Sequence, residues 1–125
     1  MSVLVYTESE QGRFKKTAFE VASYGKAIAD QLGTTVTAIT INADEVSELE
    51  TYGVNKVLKV KNISLDAFNA KIYASVIQQA AEKEGTKVVV VSSSVNSKYL
   101  APLLSNNNKK AIFLFINFIE CYFPL

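Results

Sequence analysis

The sequence predicts a doubly wound α/β domain: a three-layer αβα sandwich around a mainly parallel sheet. Short apolar runs rich in β-branched residues alternate with amphipathic segments along the chain, which is typical of βαβ units. Four consecutive valines at residues 88–91 predict a central strand that is covered on both faces. Right-handed crossovers then favour the strand order 3-2-1-4, and they leave room for a fifth strand outside the fourth.

The first part of the chain provides two strands and a long helix. Residues 3–6 and 35–41 are apolar or β-branched runs between polar residues, so we expect buried strands there. Residues 7–13 are predicted to form a loop. Apolar side chains at helical spacing predict a helix over residues 14–32, and Gly33 is placed to end it.

The next part continues the alternation. Asp44 is predicted to cap a short helix, and residues 56–60 are predicted to form an edge strand because their neighbours are polar. A second long amphipathic helix should follow. Either Ser64 or Asp66 can cap its start, and Gly85 should end it.

Composition excludes several classes of function. A net charge of +1 gives no strong field that would recruit nucleic acid, so no nucleic-acid partner is expected. The chain has no histidine and one cysteine, which leaves no base for a serine or cysteine nucleophile. We therefore expect no catalytic constellation and no metal site of the His/Cys type, and the protein is not predicted to be an enzyme.

The ends of the sequence favour a cytoplasmic protein. The first residues have no basic region and no long apolar stretch, and they run directly into Glu8 and Glu10. The apolar segment near the other end is shorter than the ~20 residues that a membrane-spanning helix needs. We expect no stable membrane insertion.

The candidate site is the switch point between strands one and four, where ligands bind in such sheets. Its two loops are residues 7–13 and residues 92–98. Glu8, Glu10 and Arg13 line the first loop, and the two acids are expected to be exposed. The second loop offers weak candidates for holding a phosphate, although serines at this place also cap helices or complete turns, and we favour that role. These candidates are Ser92, Ser93, Ser94, Ser97 and Lys98.

Five segments occur in the order found in one known family: SVLVYTE, YGKAIADQLG, VTAITIN, YGVNKVLKV and VVVVSSSVNSKYLAPLL. Over residues 1 to about 104 the chain resembles the N-terminal domain of the electron transfer flavoprotein alpha subunit, and it is most similar to bacterial members. The resemblance implies an adenine-nucleotide-alpha-hydrolase-like fold.

The resemblance also implies a function. Members of the family form a heterodimer of alpha and beta subunits that passes electrons from dehydrogenases to the respiratory chain. Their FAD is held mainly by a separate C-terminal domain of the alpha subunit, and the N-terminal domain is a scaffold that packs against the beta subunit. No segment of this chain matches that FAD-binding domain, so we expect no cofactor for this chain alone.

Residues 105–125 depart from the family pattern. They contain four of the seven phenylalanines and no glycine. We interpret them as an atypical apolar tail and as the non-native ending of a truncated chain, while a fifth strand or a buried helix is also open. The alternative function is a free-standing adenine-nucleotide-binding domain of the universal-stress-protein type that would use residues 92–98 for phosphate. The absence of glycine from that loop favours the first interpretation.

Overall fold

The computed structural model describes residues 2–92, 99–100, 102–104 and 112–116, the last range as backbone only. The strands are β1 (Ser2–Tyr6), β2 (Ser9–Glu10), β3 (Arg13–Phe14), β4 (Thr35–Ile41), β5 (Lys56–Val60), β6 (Val88–Ser92) and β7 (Ile112–Ile116). The helices are α1 (Lys16–Leu32), α2 (Glu48–Thr51) and α3 (Ala70–Glu84), and Ile63–Leu65 form a turn of 3-10 helix. The main sheet is parallel, with β2 and β3 forming a separate antiparallel hairpin.

The order of the sheet confirms the predicted topology. It is β5-β4-β1-β6-β7, which corresponds to 3-2-1-4-5 when the strands of the main sheet are counted along the chain. Val3 of β1 lies between Val36 of β4 and Val88 of β6, so β1 is central. On its other side Val88 pairs with Ile112 of β7. The fifth strand that the sequence left open therefore forms beside the fourth.

Helix α1 covers one face of the sheet, and a glycine allows a close approach. Val21, Ala22 and Ala29 of this helix are fully buried against β1, β4 and β6. A Cβ atom at Gly25 would overlap Cγ1 of Val5. Small residues on α1 therefore allow the helix to lie close to the sheet. A larger side chain at Gly25 would push the helix away from Val5 or displace the Val5 side chain.

The opposite face is covered by α3 and by the helical residues 99–100 and 102–104, which include Leu100 and Leu104. Both leucines are fully buried. Along β6, Val89 and Val91 pack in this layer, whereas Val90 packs under α1. Since successive side chains of a strand point to opposite faces, this alternation shows that β6 is covered on both sides. The three-layer αβα sandwich is confirmed.

The start of α1 differs from the prediction. The helix begins at Lys16 and not at residue 14, because Arg13–Phe14 pairs with β2. The expected loop over residues 7–13 therefore contains most of a small hairpin. Such two-residue strands are too short for any hydrophobic period to appear in the sequence.

The cap of α3 was also predicted wrongly. The helix starts after Asn69, whose side-chain oxygen accepts a hydrogen bond from the Ile72 amide at 3.2 Å. Ser64 and Asp66 were the expected caps. Ser64 lies within the 3-10 turn that precedes α3, and Asp66 follows the last residue of that turn. All three residue types are good caps, so composition alone could not decide between them.

The ends of the two long helices and the edge position of β5 agree with the predictions. Gly33 and Gly85 end α1 and α3 in the left-handed conformation, with φ of 67° and 59°. Within the described sheet β5 is an edge strand, and its Lys56 pairs with Glu84 at 2.9 Å. Charged side chains at an edge oppose pairing with another chain. Across the described ranges, none of the helices has the length and apolar character needed to cross a membrane.

Candidate functional site

The carboxyl ends of β1 and β6 meet in the middle of the sheet, where the sequence places the switch point. Glu8 lies just beyond β1, and Ser92 is the last residue of β6. The Ser92 hydroxyl donates to Oε1 of Glu8 at 3.4 Å, and both side chains are buried. A side-chain contact therefore joins the ends of the two central strands.

The second carboxylate oxygen of Glu8 forms an ion pair with Lys15. Nζ of Lys15 lies 2.9 Å from Oε2, and only 3% of the Glu8 side chain is exposed. The Lys15 amide also donates to the Glu8 carbonyl at 3.0 Å, because the hairpin returns the chain to that point. The expectation that Glu8 is an exposed loop acid is therefore wrong, whereas Glu10 is exposed as expected.

Of the five residues suggested for phosphate binding, only Ser92 falls in the described part of the chain. It is 1% exposed, and its hydroxyl is directed to a carboxylate, which would repel a phosphate placed there. Ser93, Ser94, Ser97 and Lys98 lie outside the described residues. Phosphate binding by this loop stays a prediction.

A cleft of about 900 Å³ opens beside the switch point, over the carboxyl ends of β1, β4 and β5. The sequence predicted a crevice between β1 and β6. The cleft lies on the other side of β1, towards β4 and β5. The walls come from the β2–β3 hairpin, from the residues after β4 and β5, and from the segment before α3. This cleft is the candidate functional site.

Asn42 holds the far wall of the cleft in place. It lies just after β4 with a left-handed φ of 56°. Its Nδ2 donates to the Asn62 carbonyl at 2.8 Å and to Oδ1 of Asp66 at 2.7 Å. Its Oδ1 accepts from the Asn62 amide at 2.8 Å. One side chain thus connects the end of β4 to the residues after β5, and sequence analysis did not identify it.

The near wall is the turn of the hairpin. Gln11 and Gly12 both have positive φ, 53° and 81°, which a two-residue hairpin turn requires. The Asp44 amide donates to the Gly12 carbonyl at 2.9 Å, and a Cβ atom at Gly12 would overlap the Asp44 carboxylate. Asp44 therefore packs on the hairpin, and the prediction that it caps the short helix is wrong, because α2 starts after Ser47.

Aromatic side chains line the base of the cleft. Tyr6 and Tyr73 are largely buried, and the rings of Phe68 and Tyr73 meet edge to face at 4.9 Å. The Tyr73 hydroxyl donates to the Leu65 carbonyl. Burial, followed by the charge of Glu8, raises the pKa of Tyr6 well above its ordinary value. Burial and the charge of Asp66 raise the pKa of Tyr73. Both phenols therefore remain neutral at physiological pH.

The wall of the cleft has more acidic than basic groups. Its charged residues are Glu8, Glu10, Asp44, Asp66, Lys15 and Lys61. Both lysines already have carboxylate partners, since Lys61 Nζ lies 3.5 Å from Oδ1 of Asp44 and Lys15 pairs with Glu8. Two further carboxylates remain, so the cleft attracts cations and repels anions.

These groups do not fit FAD. A dinucleotide site presents backbone amides of a glycine turn and the positive end of a helix to the pyrophosphate. Among the described residues that line the cleft, the one glycine is Gly12, and it packs against the carboxylate of Asp44. A pyrophosphate in the cleft would meet four carboxylates and two lysines that are already paired.

The doubly wound fold, with a polar cleft at the carboxyl ends of its strands, defines a Rossmann-like α/β domain. A sequence model described as the electron transfer flavoprotein domain matches residues 3–108. The chain belongs to the electron transfer flavoprotein domain family. This confirms the resemblance that the sequence motifs indicated.

Curated relatives are similar at low identity. Protein FixB of Clostridium saccharobutylicum is 26% identical over 102 residues, which cover 80% of this chain and 30% of that protein. The electron transfer flavoprotein subunit alpha of Megasphaera elsdenii is 27% identical over 113 residues, covering 88% and 33%. The acryloyl-CoA reductase electron transfer subunit beta of Anaerotignum propionicum is 26% identical over 103 residues, covering 80% and 28%. The chain spans about a third of the length of these relatives.

A solved structure shares the fold. A universal stress protein crystallised in complex with cAMP superposes with a TM-score of 0.54 at 9% identity, covering 93% of this chain and 97% of that one. At this identity the likeness concerns the fold alone. It agrees with the adenine-nucleotide-alpha-hydrolase-like architecture that the resemblance implied.

Proposed function

We propose that this chain is the N-terminal scaffold domain of an electron transfer flavoprotein subunit of the alpha type. The family match over residues 3–108 is the observation that supports this most strongly. The similarity to FixB and to subunits named alpha supports the alpha type. In this proposal the domain occupies residues 1–104. The interpretation of residues 105–125 as a non-native ending stays a prediction, and that segment includes β7.

The proposed role is to bind and position a partner. The domain docks on a beta-type subunit, within a heterodimer that passes electrons from dehydrogenases to the respiratory chain, and it works in the cytoplasm. FAD is held by the part of the relatives that this chain does not match. The excess of carboxylates in the cleft supports a domain that holds no flavin itself.

The domain acts without catalysis of its own. Its relatives are named as electron transfer subunits. The charged groups of the switch point serve structural contacts, since Glu8 binds both Lys15 and Ser92. A net charge of +1 supports a protein partner over nucleic acid.

The alternative is a free-standing adenine-nucleotide-binding domain of the universal-stress-protein type. The shared fold is compatible with it. The family match favours the electron transfer flavoprotein interpretation. The carboxylates of the cleft also oppose a phosphate group, which an adenine nucleotide would bring.

Two measurements on the purified chain test the proposal against this alternative. The visible absorbance should show no flavin bands, and titration with AMP or ATP should give no saturable heat. Full-length alpha and beta subunits, purified together, are the positive control for flavin. Retained flavin would contradict the scaffold role, and saturable binding of AMP in the micromolar range would favour the alternative.

A further inference from the structure

We propose that the cleft, which we call the acidic cleft, is a docking site for a protein segment that presents a basic side chain next to an apolar one. The name denotes the surface formed by Glu10, Asp44, Asp66, Ile63 and Phe68. The inference is independent of the proposed pairing with a beta subunit, because it depends only on the charges and shape of this surface.

The negative charge of the acidic cleft favours a positively charged side chain as its occupant. Within the described residues, the ion pairs of Lys15 and Lys61 use Glu8 and Asp44, and no ion pair involves Glu10 or Asp66. Asp66 accepts a hydrogen bond from Asn42, which orients its carboxylate and leaves its charge in place. A basic side chain entering the cleft would therefore meet two carboxylates that no lysine neutralises.

The exposed apolar surface at the rim of the cleft favours a polypeptide over a metal ion or a small amine as the occupant. Ile63 is 87% exposed at the rim of the cleft. The Phe68 and Tyr73 rings, which form a T-shaped pair, line the same cleft. A metal ion or a small amine would leave Ile63 in water, whereas a segment with an apolar side chain would bury it. Arginine suits the two unpaired carboxylates best, because its planar guanidinium can donate two parallel hydrogen bonds to a carboxylate.

The cleft is also preformed. The side chain of Asn42 makes two hydrogen bonds with the backbone of Asn62, and the Asp44 amide holds the hairpin turn through the Gly12 carbonyl. A partner that binds a rigid surface loses less free energy to the ordering of loops. The volume of about 900 Å³ accommodates several side chains of a bound segment.

The test uses the whole chain and a short synthetic peptide that alternates leucine and arginine, with binding measured by calorimetry at low salt. The variant E10Q/D66N should bind about tenfold more weakly, a loss of about 1.4 kcal/mol. Glutamine and asparagine keep the size of the originals and one hydrogen-bonding oxygen, which is enough to accept the bond from Asn42 at position 66. The matched control E50Q/E82Q removes the same charge from exposed positions outside the cleft and should change affinity about twofold or less.

A second pair of variants tests the apolar contact. Ile63→Ser should weaken peptide binding about fivefold, because the bound segment covers this side chain. Ile72→Ser is the control, since Ile72 is 46% exposed and lies outside the lining of the cleft. All four variants should unfold at the same urea concentration as the parent chain, which separates loss of binding from loss of folding.

Three results would overturn the proposal. The first is equal weakening by E10Q/D66N and E50Q/E82Q, which would mean that net charge alone attracts the peptide. The second is unchanged binding by Ile63→Ser. The third is binding of spermidine as tightly as the peptide, which would make the cleft a site for small amines. A peptide with glutamate in place of arginine should not bind.

Discussion

Nζ of Lys15 lies 2.9 Å from Oε2 of Glu8, although the carboxylate is 3% exposed and the lysine 32% exposed. This ion pair anchors the start of α1 to the end of β1. The hydroxyl of Ser92 reaches the other oxygen of the same carboxylate. The end of β1, the start of α1 and the distant end of β6 are therefore connected through Glu8 at the centre of the sheet.

Glu8 is more deeply buried than Lys15, so replacing one or the other should change the free energy of unfolding by different amounts. Lys15→Met leaves a buried carboxylate without its cation and should lower the free energy of unfolding by about 2–3 kcal/mol. Glu8→Gln leaves a lysine that reaches water and should cost about 1 kcal/mol. Urea unfolding at neutral pH measures both. Lys26→Met, which removes an exposed pair with Asp30, should cost about 0.5 kcal/mol or less. A larger cost for Glu8→Gln than for Lys15→Met would contradict this account.

Gly25 should resist a substitution that stabilises most helices. Glycine to alanine in a helix usually gains up to about 1 kcal/mol. Here the added methyl group overlaps Val5, so Gly25→Ala should instead destabilise the fold by about 1–3 kcal/mol. Ser23→Ala, at an exposed position of the same helix, is the control and should be neutral or slightly stabilising. The close packing of α1 would be refuted if Gly25→Ala raised the melting temperature.

Asn42 combines a conformational role with a hydrogen-bonding role, and two substitutions separate them. Asn42→Gly keeps the positive φ and loses the side-chain bonds to Asn62 and Asp66, which should cost about 2 kcal/mol. Asn42→Ala loses the same bonds and adds about 1 kcal/mol of backbone strain. Urea unfolding of both variants gives the difference. Equal stability of the two would show that the left-handed conformation is not maintained.

The buried phenol of Tyr6 predicts a loss of stability at high pH. Its folded pKa is raised above the ordinary value of 10.0, first by burial and then by Glu8. Below the unfolded pKa both states are protonated, so the contribution to stability is complete there. Above about pH 10 the unfolded state ionises first, and stability falls until the folded pKa is passed.

Tyr6→Phe should therefore make this decline of the unfolding free energy shallower. Tyr99→Phe is the matched control, because Tyr99 is 62% exposed, and it should leave the slope unchanged. Urea unfolding at a series of pH values between neutral and strongly alkaline gives the slopes. If Tyr6→Phe declined as steeply as the parent chain, ionisation of this phenol would not contribute.

The fold could be predicted because its signals are local and repeated. The valines of β6 occupy consecutive residues, and the apolar face of α1 repeats over several consecutive helical turns. The glycines that end α1 and α3 mark their boundaries directly. The handedness of crossovers leaves few orders for the first four strands, and it allows a fifth strand beside the fourth without requiring one.

The site could not be predicted because it depends on contacts between distant residues. Asn42 and Asn62 are twenty positions apart, and each has an unremarkable sequence context. The burial of Glu8 depends on a hairpin of two-residue strands, which has no periodicity to detect. The one available signal was Gln11-Gly12, since glycine in a short polar segment favours a tight hairpin turn.

We propose that this chain is a scaffold domain that pairs with a beta-type electron transfer flavoprotein subunit. The direct measurement is co-expression of the chain with such a beta subunit, followed by native mass spectrometry of the complex purified through a tag on the chain. We expect a one-to-one complex in which no flavin is bound to this chain. Elution of the chain alone, in conditions where a full-length alpha subunit captures the same beta subunit, would contradict the claim.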